Sequence, residues 1–161
     1  MNYLQKYTTV SASDCDHNSN LSISAMCKIF MDIATDHSKI MGVSMYDLAP
    51  KNLFWVVTKT KIKIIQNPKM LQDILVETWP SKPNRVKCNR CYQISQNNQP
   101  IIQAKSEWVI MDLSSGRIAR ADEVYPQNFE HKQDDVITEG FSRLDEELSN
   151  EQELSQTGRA L

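Results

Sequence analysis

No apolar run in the 161 residues approaches the roughly 18 that a membrane-spanning helix requires. The opening MNYLQKYTTV has no basic stretch leading into an apolar one, so no secretory leader is expected. The four cysteines, Cys15, Cys27, Cys88 and Cys91, are therefore expected as reduced thiols in a cytoplasm. No dense Lys/Arg stripe with interleaved aromatics is present, which disfavours nucleic acid as a partner. Cys88-Asn89-Arg90-Cys91 lacks a second CxxC or a pair of histidines to complete a zinc site. It also falls in a segment patterned as a strand, where residues three apart point to opposite faces. Neither a metal nor a cofactor is expected, and there is no internal repeat.

What remains is ordinary for one soluble globular domain: 40% hydrophobic and 24% charged residues. The net charge of -2 hides an asymmetry. Residues 130–161 carry nine acids and three bases, which leaves a mildly basic body over residues 1–129. Such a body suits an acidic partner, although a solvated surface with a loose tail accounts for the same charges. The tail from Glu130 is too poor in apolar side chains to offset its ordering entropy, so it is expected not to dock. Ser142 to Gln156 within it carries a weak helical pattern.

Residues 3–12 alternate as a first strand, and Ser13 to Asn20 is rich in turn formers. Ile23, Met26, Cys27, Phe30, Ile33, Ala34, His37 and Met41 then recur at steps of three and four. That spacing predicts an amphipathic helix from about Ser22 to Met41, with Asn20 or Ser22 as its cap and Gly42 ending it. Lys28/Asp32 and Asp36/Lys39 are placed to pair on its polar side. A short helix over Ser44 to Ala49 follows. Strands are predicted over Leu53 to Gln66, Ile74 to Trp79, Val86 to Ser95 and Ile101 to Leu113, with Asn-, Pro- and Gly-containing turns between them. One long helix against a curved antiparallel sheet is an α+β layout.

Several of these segments resemble the acyl-acyl carrier protein thioesterases of plants and bacteria. Ala34-Thr35-Asp36-His37 and Gly42-Val43 look like the helix of that family's first hot-dog domain and its end. Asn52-Leu53-Phe54-Trp55-Val56-Val57-Thr58-Lys59 is the most specific match. Val76 to Pro80 and Ala104 to Asp112 extend it in order, so the resemblance spans roughly residues 3–129. It implies a hot-dog domain at 1–129, followed by an acidic tail at 130–161. It implies a thioesterase that hydrolyses fatty acyl-acyl carrier protein or acyl-CoA to free fatty acid, in fatty acid biosynthesis. A lone hot-dog leaves a sheet edge unpaired, so a homodimer or higher oligomer is expected. The family commonly joins two hot-dogs, with the catalytic residues in the second. An acyl-binding or carrier-protein-binding module without hydrolysis is thus the alternative.

Thioester hydrolysis needs a group to activate water or to attack, and donors for the developing oxyanion. The second hot-dog of the family carries Asp-x-Asn-x-His before its helix. Asp16 and Asn18 match that pattern here, and Asn20 stands where the histidine would be. Asp14-Cys15-Asp16 is also similar to the loop of single-hot-dog acyl-CoA thioesterases. On this resemblance Asp16 is the candidate base or nucleophile and Asn18 the positioner of water or carbonyl, with Asn20 a further candidate site residue in the histidine's place and helix-start amides as oxyanion donors. The competing reading has all three turning the chain and capping the helix. His37 is a further candidate, weighed against a core histidine. Met26, Met31, Met41 and Met45 are candidates to line an acyl tunnel, or are plain core. Lys59, Lys61, Lys63, Lys82, Arg85, Lys87 and Arg90 are expected on strand surfaces or loops, either facing solvent or meeting an acidic carrier protein.

Overall fold

The apolar stripe becomes helix α1, Ile23–Met41, in the computed structural model, which describes residues 1–142. The Ser22 hydroxyl caps its start by accepting from the Ala25 amide at 3.2 Å. Gly42 ends it in the left-handed region, at φ 72°, where its amide reaches back to the last carbonyls. The buried face consists of Ala25, Met26, Phe30, Ile33, Ala34, His37 and Met41. Ile23 and Cys27, expected in the stripe, are exposed instead. Ala25 takes an inward position beside Met26 in the first turn. Asp36 also departs from expectation: it pairs with Lys6 on the first strand at 2.6 Å, rather than with Lys39.

The sheet has the strand order β1-β3-β4-β5-β2, antiparallel throughout. Its strands are β1 (Leu4–Thr9), β2 (Leu53–Ile64), β3 (Asp73–Pro80), β4 (Lys87–Gln96) and β5 (Gln99–Asp112). A two-residue strand, β6 (Arg117–Ile118), pairs with the end of β5. Short helices α2 (Met45–Leu48) and α3 (Ala121–Val124) flank the body. The four long strands lie where alternation predicts them. Asn97 and Asn98, both at positive φ, make the two-residue turn between β4 and β5. A bulge between Val57 and Lys59 shifts the register of β2 against β5. It turns Trp55 and Val57 to the same side as Ile62, and Lys59 and Lys61 to the other.

α1 packs chiefly over β3 and β1. The main core lies there, with Met26, Phe30 and Ile33 against Ile74, Val76, Tyr92, Ile94, Ile102 and Ala104. A second cluster, Met41, Val43, Cys88, Ile110, Ala121 and Tyr125, closes the other end. Because the helix is off-centre, the sheet over β5 and β2 is left partly uncovered.

The described part of the tail, up to residue 142, docks on the sheet, contrary to the composition argument. Trp79, Cys91, Lys105 and Lys61 are cross-strand neighbours in one row along the outer face. Residues 132–140 run along that row. The Trp79 indole donates to the Asp134 carbonyl at 2.7 Å, and the Lys132 ammonium sits 3.8 Å from the centre of the Trp79 ring. Lys105 pairs with Asp135 at 2.6 Å, Ile137 is buried, and Lys61 donates to the Gly140 carbonyl at 3.1 Å. Polar contacts to the backbone and to the carboxylates of Asp135 and Glu139 hold this strap, so a count of apolar side chains overlooks it. The helix expected over Ser142 to Gln156 lies, but for its first residue, outside the described residues.

The side chain of Lys105 is 8% exposed, so its charge depends on Asp135. Asp135→Ala is expected to lower stability by about 1–3 kcal/mol, read from urea midpoints, by leaving that ammonium uncompensated. Adding Lys105→Met should restore much of the loss, since the unpaired charge is then gone as well.

Candidate functional site

The uncovered part of the sheet forms the wall of a cavity of about 350 Å³. Met31, Ala34, Thr35 and Ser38 of α1 face Phe54, Trp55 and Val57 of β2 across it, with Cys88, Arg90 and Trp108 on its inner side. The Trp55 indole donates to the Val43 carbonyl at 2.8 Å, which fixes the ring just beyond the end of α1. Trp108 and Tyr125 meet Trp55 edge-on, at 6.4 and 6.1 Å between centroids. Met31, Met45 and Val57 are exposed and form the rim, whereas Cys88, Arg90 and Tyr125 are buried. The result is a mostly apolar pocket, closed by aromatics, with a charged group at depth.

Asp16 lies elsewhere. Its Oδ1 accepts from the backbone amides of Asn18 at 2.8 Å and Asn20 at 3.0 Å. The Asn20 amide, and next the Asn18 amide, hold this exposed carboxyl below the ordinary aspartate value, so it is ionised at neutral pH. The loop is braced against the β2–β3 connection, with the Leu21 amide donating to the Pro68 carbonyl and the Met70 amide to the Ser19 carbonyl, each at 3.0 Å. Asp16, Asn18 and Asn20 are thus brought together, but the two asparagines contribute main-chain amides. The cap of α1 is Ser22.

His37 sits about four turns along α1, roughly 21 Å from its start at 1.5 Å per residue. It is fully buried. Its Nδ1 lies 3.0 Å from Arg90 Nη1 and its Nε2 lies 3.3 Å from the Met1 carbonyl oxygen. The guanidinium donates to Nδ1, so the imidazole proton resides on Nε2 and points at Met1. Burial, reinforced by the Arg90 charge, pushes the His37 pKa down to about 4. The ring is neutral at pH 7 and serves Arg90 as an acceptor. None of Asp16, Asn18, Asn20 or His37 lines the cavity.

Arg90 corrects the expectation that it lies on a strand surface or loop: it is 5% exposed and points inward. Its place could have been read from parity, since it shares its face with Cys88, Tyr92 and Ile94. Cys88 and Cys91 point to opposite faces, one toward Tyr125 and the other toward Asp135. Burial raises their pKa values to about 12 and about 11, so both are unreactive thiols. Of the methionines considered, Met31 and Met45 reach the cavity, while Met26 is core.

A long helix held in a curled antiparallel sheet of this strand order is a hot-dog domain. The chain belongs to the acyl-ACP thioesterase family, because its residues 1–129 match the sequence model described as the acyl-ACP thioesterase N-terminal domain. It is 29% identical over 107 residues to a chloroplastic acyl-(acyl-carrier-protein) hydrolase of Cuphea viscosissima, covering 62% of this chain and 26% of that protein. It is 26% identical over 110 residues to a chloroplastic palmitoyl-acyl carrier protein thioesterase of Arabidopsis thaliana, covering 63% and 27%. The chain thus spans about a quarter of the length of these curated relatives. Among solved structures, an acyl-ACP thioesterase from Bacteroides thetaiotaomicron superposes with a TM-score of 0.82 at 19% identity, over 89% of this chain and 59% of that one. A 12:0-ACP thioesterase from Umbellularia californica gives 0.70 at 16%, over 91% and 62%. At these identities the structures speak for the fold.

The depressed pKa of His37 has a consequence for stability. The unfolded chain protonates this ring near pH 6.5 and the folded chain only near 4, so the unfolded state binds more protons between those values. The stabilisation is complete above pH 6.5 and is lost as pH falls toward 4. Unfolding free energy should fall by on the order of 2–3 kcal/mol more in wild type than in His37→Gln between pH 6.5 and 4.5, in urea titrations.

Proposed function

We propose that this domain holds the acyl chain of a fatty acyl thioester in the cavity between α1 and the β5–β2 side of the sheet. We further propose that the chain serves as a thioesterase that releases free fatty acid from acyl carrier protein or coenzyme A, in fatty acid biosynthesis. The carrying observation is the cavity itself, walled by Met31, Ala34, Trp55 and Trp108. Family membership and the activities named for the relatives support the same reading.

In the hydrolytic step, Asp16 is the proposed base or nucleophile. Its support is an exposed, ionised carboxylate in the loop before α1, held rigid by two amides. Asn18 and Asn20 shape that loop, and His37 is a positioning residue for Arg90. The acyl carrier, an acidic protein or a phosphate-bearing coenzyme, suits the lysines that stand on the outer strands and loops. A second copy is the proposed occupant of the free edge of β2, which would make the working unit a homodimer.

One observation favours a second reading, in which the domain binds acyl groups without hydrolysing them: the cavity touches neither Asp16 nor its loop. Assays of the purified chain against acyl-acyl carrier protein and acyl-CoA thioesters separate the two. Asp16→Asn should reduce turnover by about a hundred- to ten-thousand-fold with acyl binding retained. Unaltered turnover would remove Asp16 from the mechanism, and binding without turnover in both proteins would establish the binder.

The cavity makes its own prediction. Ala34→Leu fills space beside Trp55 and should shift preference to shorter chains, each excluded methylene weakening binding by about 0.8 kcal/mol. An unchanged chain-length profile would place the acyl group elsewhere. Sedimentation at micromolar concentration should show a dimer.

A further inference from the structure

Arg90 is buried, and among the described residues it has no counter-ion. Nη1 donates to His37 Nδ1 at 3.0 Å and to Thr78 Oγ1 at 3.3 Å, and Nη2 lies 3.9 Å from Met41 Sδ. All three partners are uncharged, since His37 is neutral at pH 7. The titratable groups that sense its field are Cys88, Tyr92 and Tyr125, all raised by burial and therefore also neutral. Across the ladder stands Ser106, whose hydroxyl is engaged with Tyr92 and the Trp108 indole. Glu107 is on the opposite face, paired with Lys87 at 2.9 Å. Among the described residues, no carboxylate lies within ion-pair distance of Arg90.

Lys105 shows the contrast within the same sheet. It is about as buried, but it has Asp135 at 2.6 Å. A guanidinium so well shielded from water is costly unless an anion completes it, and a carboxylate fits its planar fork through two parallel hydrogen bonds. Arg90 lines the cavity from its buried side, whereas the rim is formed by the exposed Met31, Met45 and Val57. A chain entering past that rim brings its leading end to Arg90. A plain methyl terminus there would shield the charge further and offer it nothing.

We propose that the cavity is a site for an alkyl carboxylate, with the carboxylate on the Arg90 guanidinium and the alkyl stem between Met31, Trp55 and Trp108. This rests on the reading of the cavity as the acyl site and narrows its substrate class. The carboxylate has two sources of the same chemistry. It is the far end of a dicarboxylic acid whose other end is the thioester, or the head of a free fatty acid bound head-inward.

Trp55 and Trp108 line the cavity, so ligand titrations of the full chain can be followed by tryptophan fluorescence. The probes are the decanoyl and mono-decanedioyl thioesters of pantetheine, free decanoate, and decan-1-ol. The decanedioyl thioester is expected to bind about tenfold to a hundredfold more tightly than the decanoyl thioester, or decanoate to exceed decan-1-ol by that factor. The pair that shows the preference identifies the source. Arg90→Met should erase the ratio and Arg90→Lys should keep part of it, because a point charge lacks the paired donors. Removal of an uncompensated buried charge leaves Arg90→Met able to fold, and the wild-type ratios stand without either variant. Equal affinities within both pairs, or a preference that survives Arg90→Met, would overturn the carboxylate site while leaving the acyl cavity in place. Failure of every probe to bind would overturn both.

Discussion

The seating of α1 on the inner face of the sheet governs the rest of the molecule. Met26, Phe30 and Ile33 lock the helix over β3 and β1, where Ile74 and Val76 receive them. Burial at these positions is worth roughly 1.5–3 kcal/mol for each large side chain, enough to fix the helix against alternatives. A helix about 10 Å across cannot also cover β5 and β2. The remaining width is closed by aromatic rings, and Trp55, Trp108 and Tyr125 meet edge-on around a space instead of filling it. The cavity is thus a consequence of where the helix had to go.

The two faces of the sheet handle charge differently. On the outer face, Lys105 is matched by Asp135 of the strap, and Trp79 finds its acceptor in the Asp134 carbonyl. Each polar group that the strap covers is given a partner, as buried polar groups require. On the inner face, Arg90 is held by His37 and Thr78, which orient it without neutralising it. The oriented cation beside an apolar cavity is the basis of the proposed carboxylate site, whereas the outer pair contributes to stability.

The loop before α1 adds a third environment. Asp16 is exposed and ionised, and its Oδ1 caps the turn by accepting from the Asn18 and Asn20 amides. It stands before the start of α1 and His37 near the end, so these two separate candidates are divided by most of the length of the helix.

The helix, its end at Gly42, the four long strands and their turns were legible in the sequence, because period and turn chemistry are local properties. The family resemblance was legible for a related reason: Asn52 to Lys59 and Ala104 to Asp112 each lie within one element. Strand parity also placed Cys88 and Cys91 on opposite faces. Three features were decided only by tertiary structure. The bulge after Val57 puts Trp55 on the face opposite Lys59, although strict alternation sets them together. The strap docks through carbonyls and two carboxylates whose partners, Trp79, Lys105 and Lys61, come from three strands far apart in the chain. Arg90 is surrounded by neutral partners among the described residues because α1 sets His37 and Met41 over it, and no sequence pattern records which distant side chains will surround a cation.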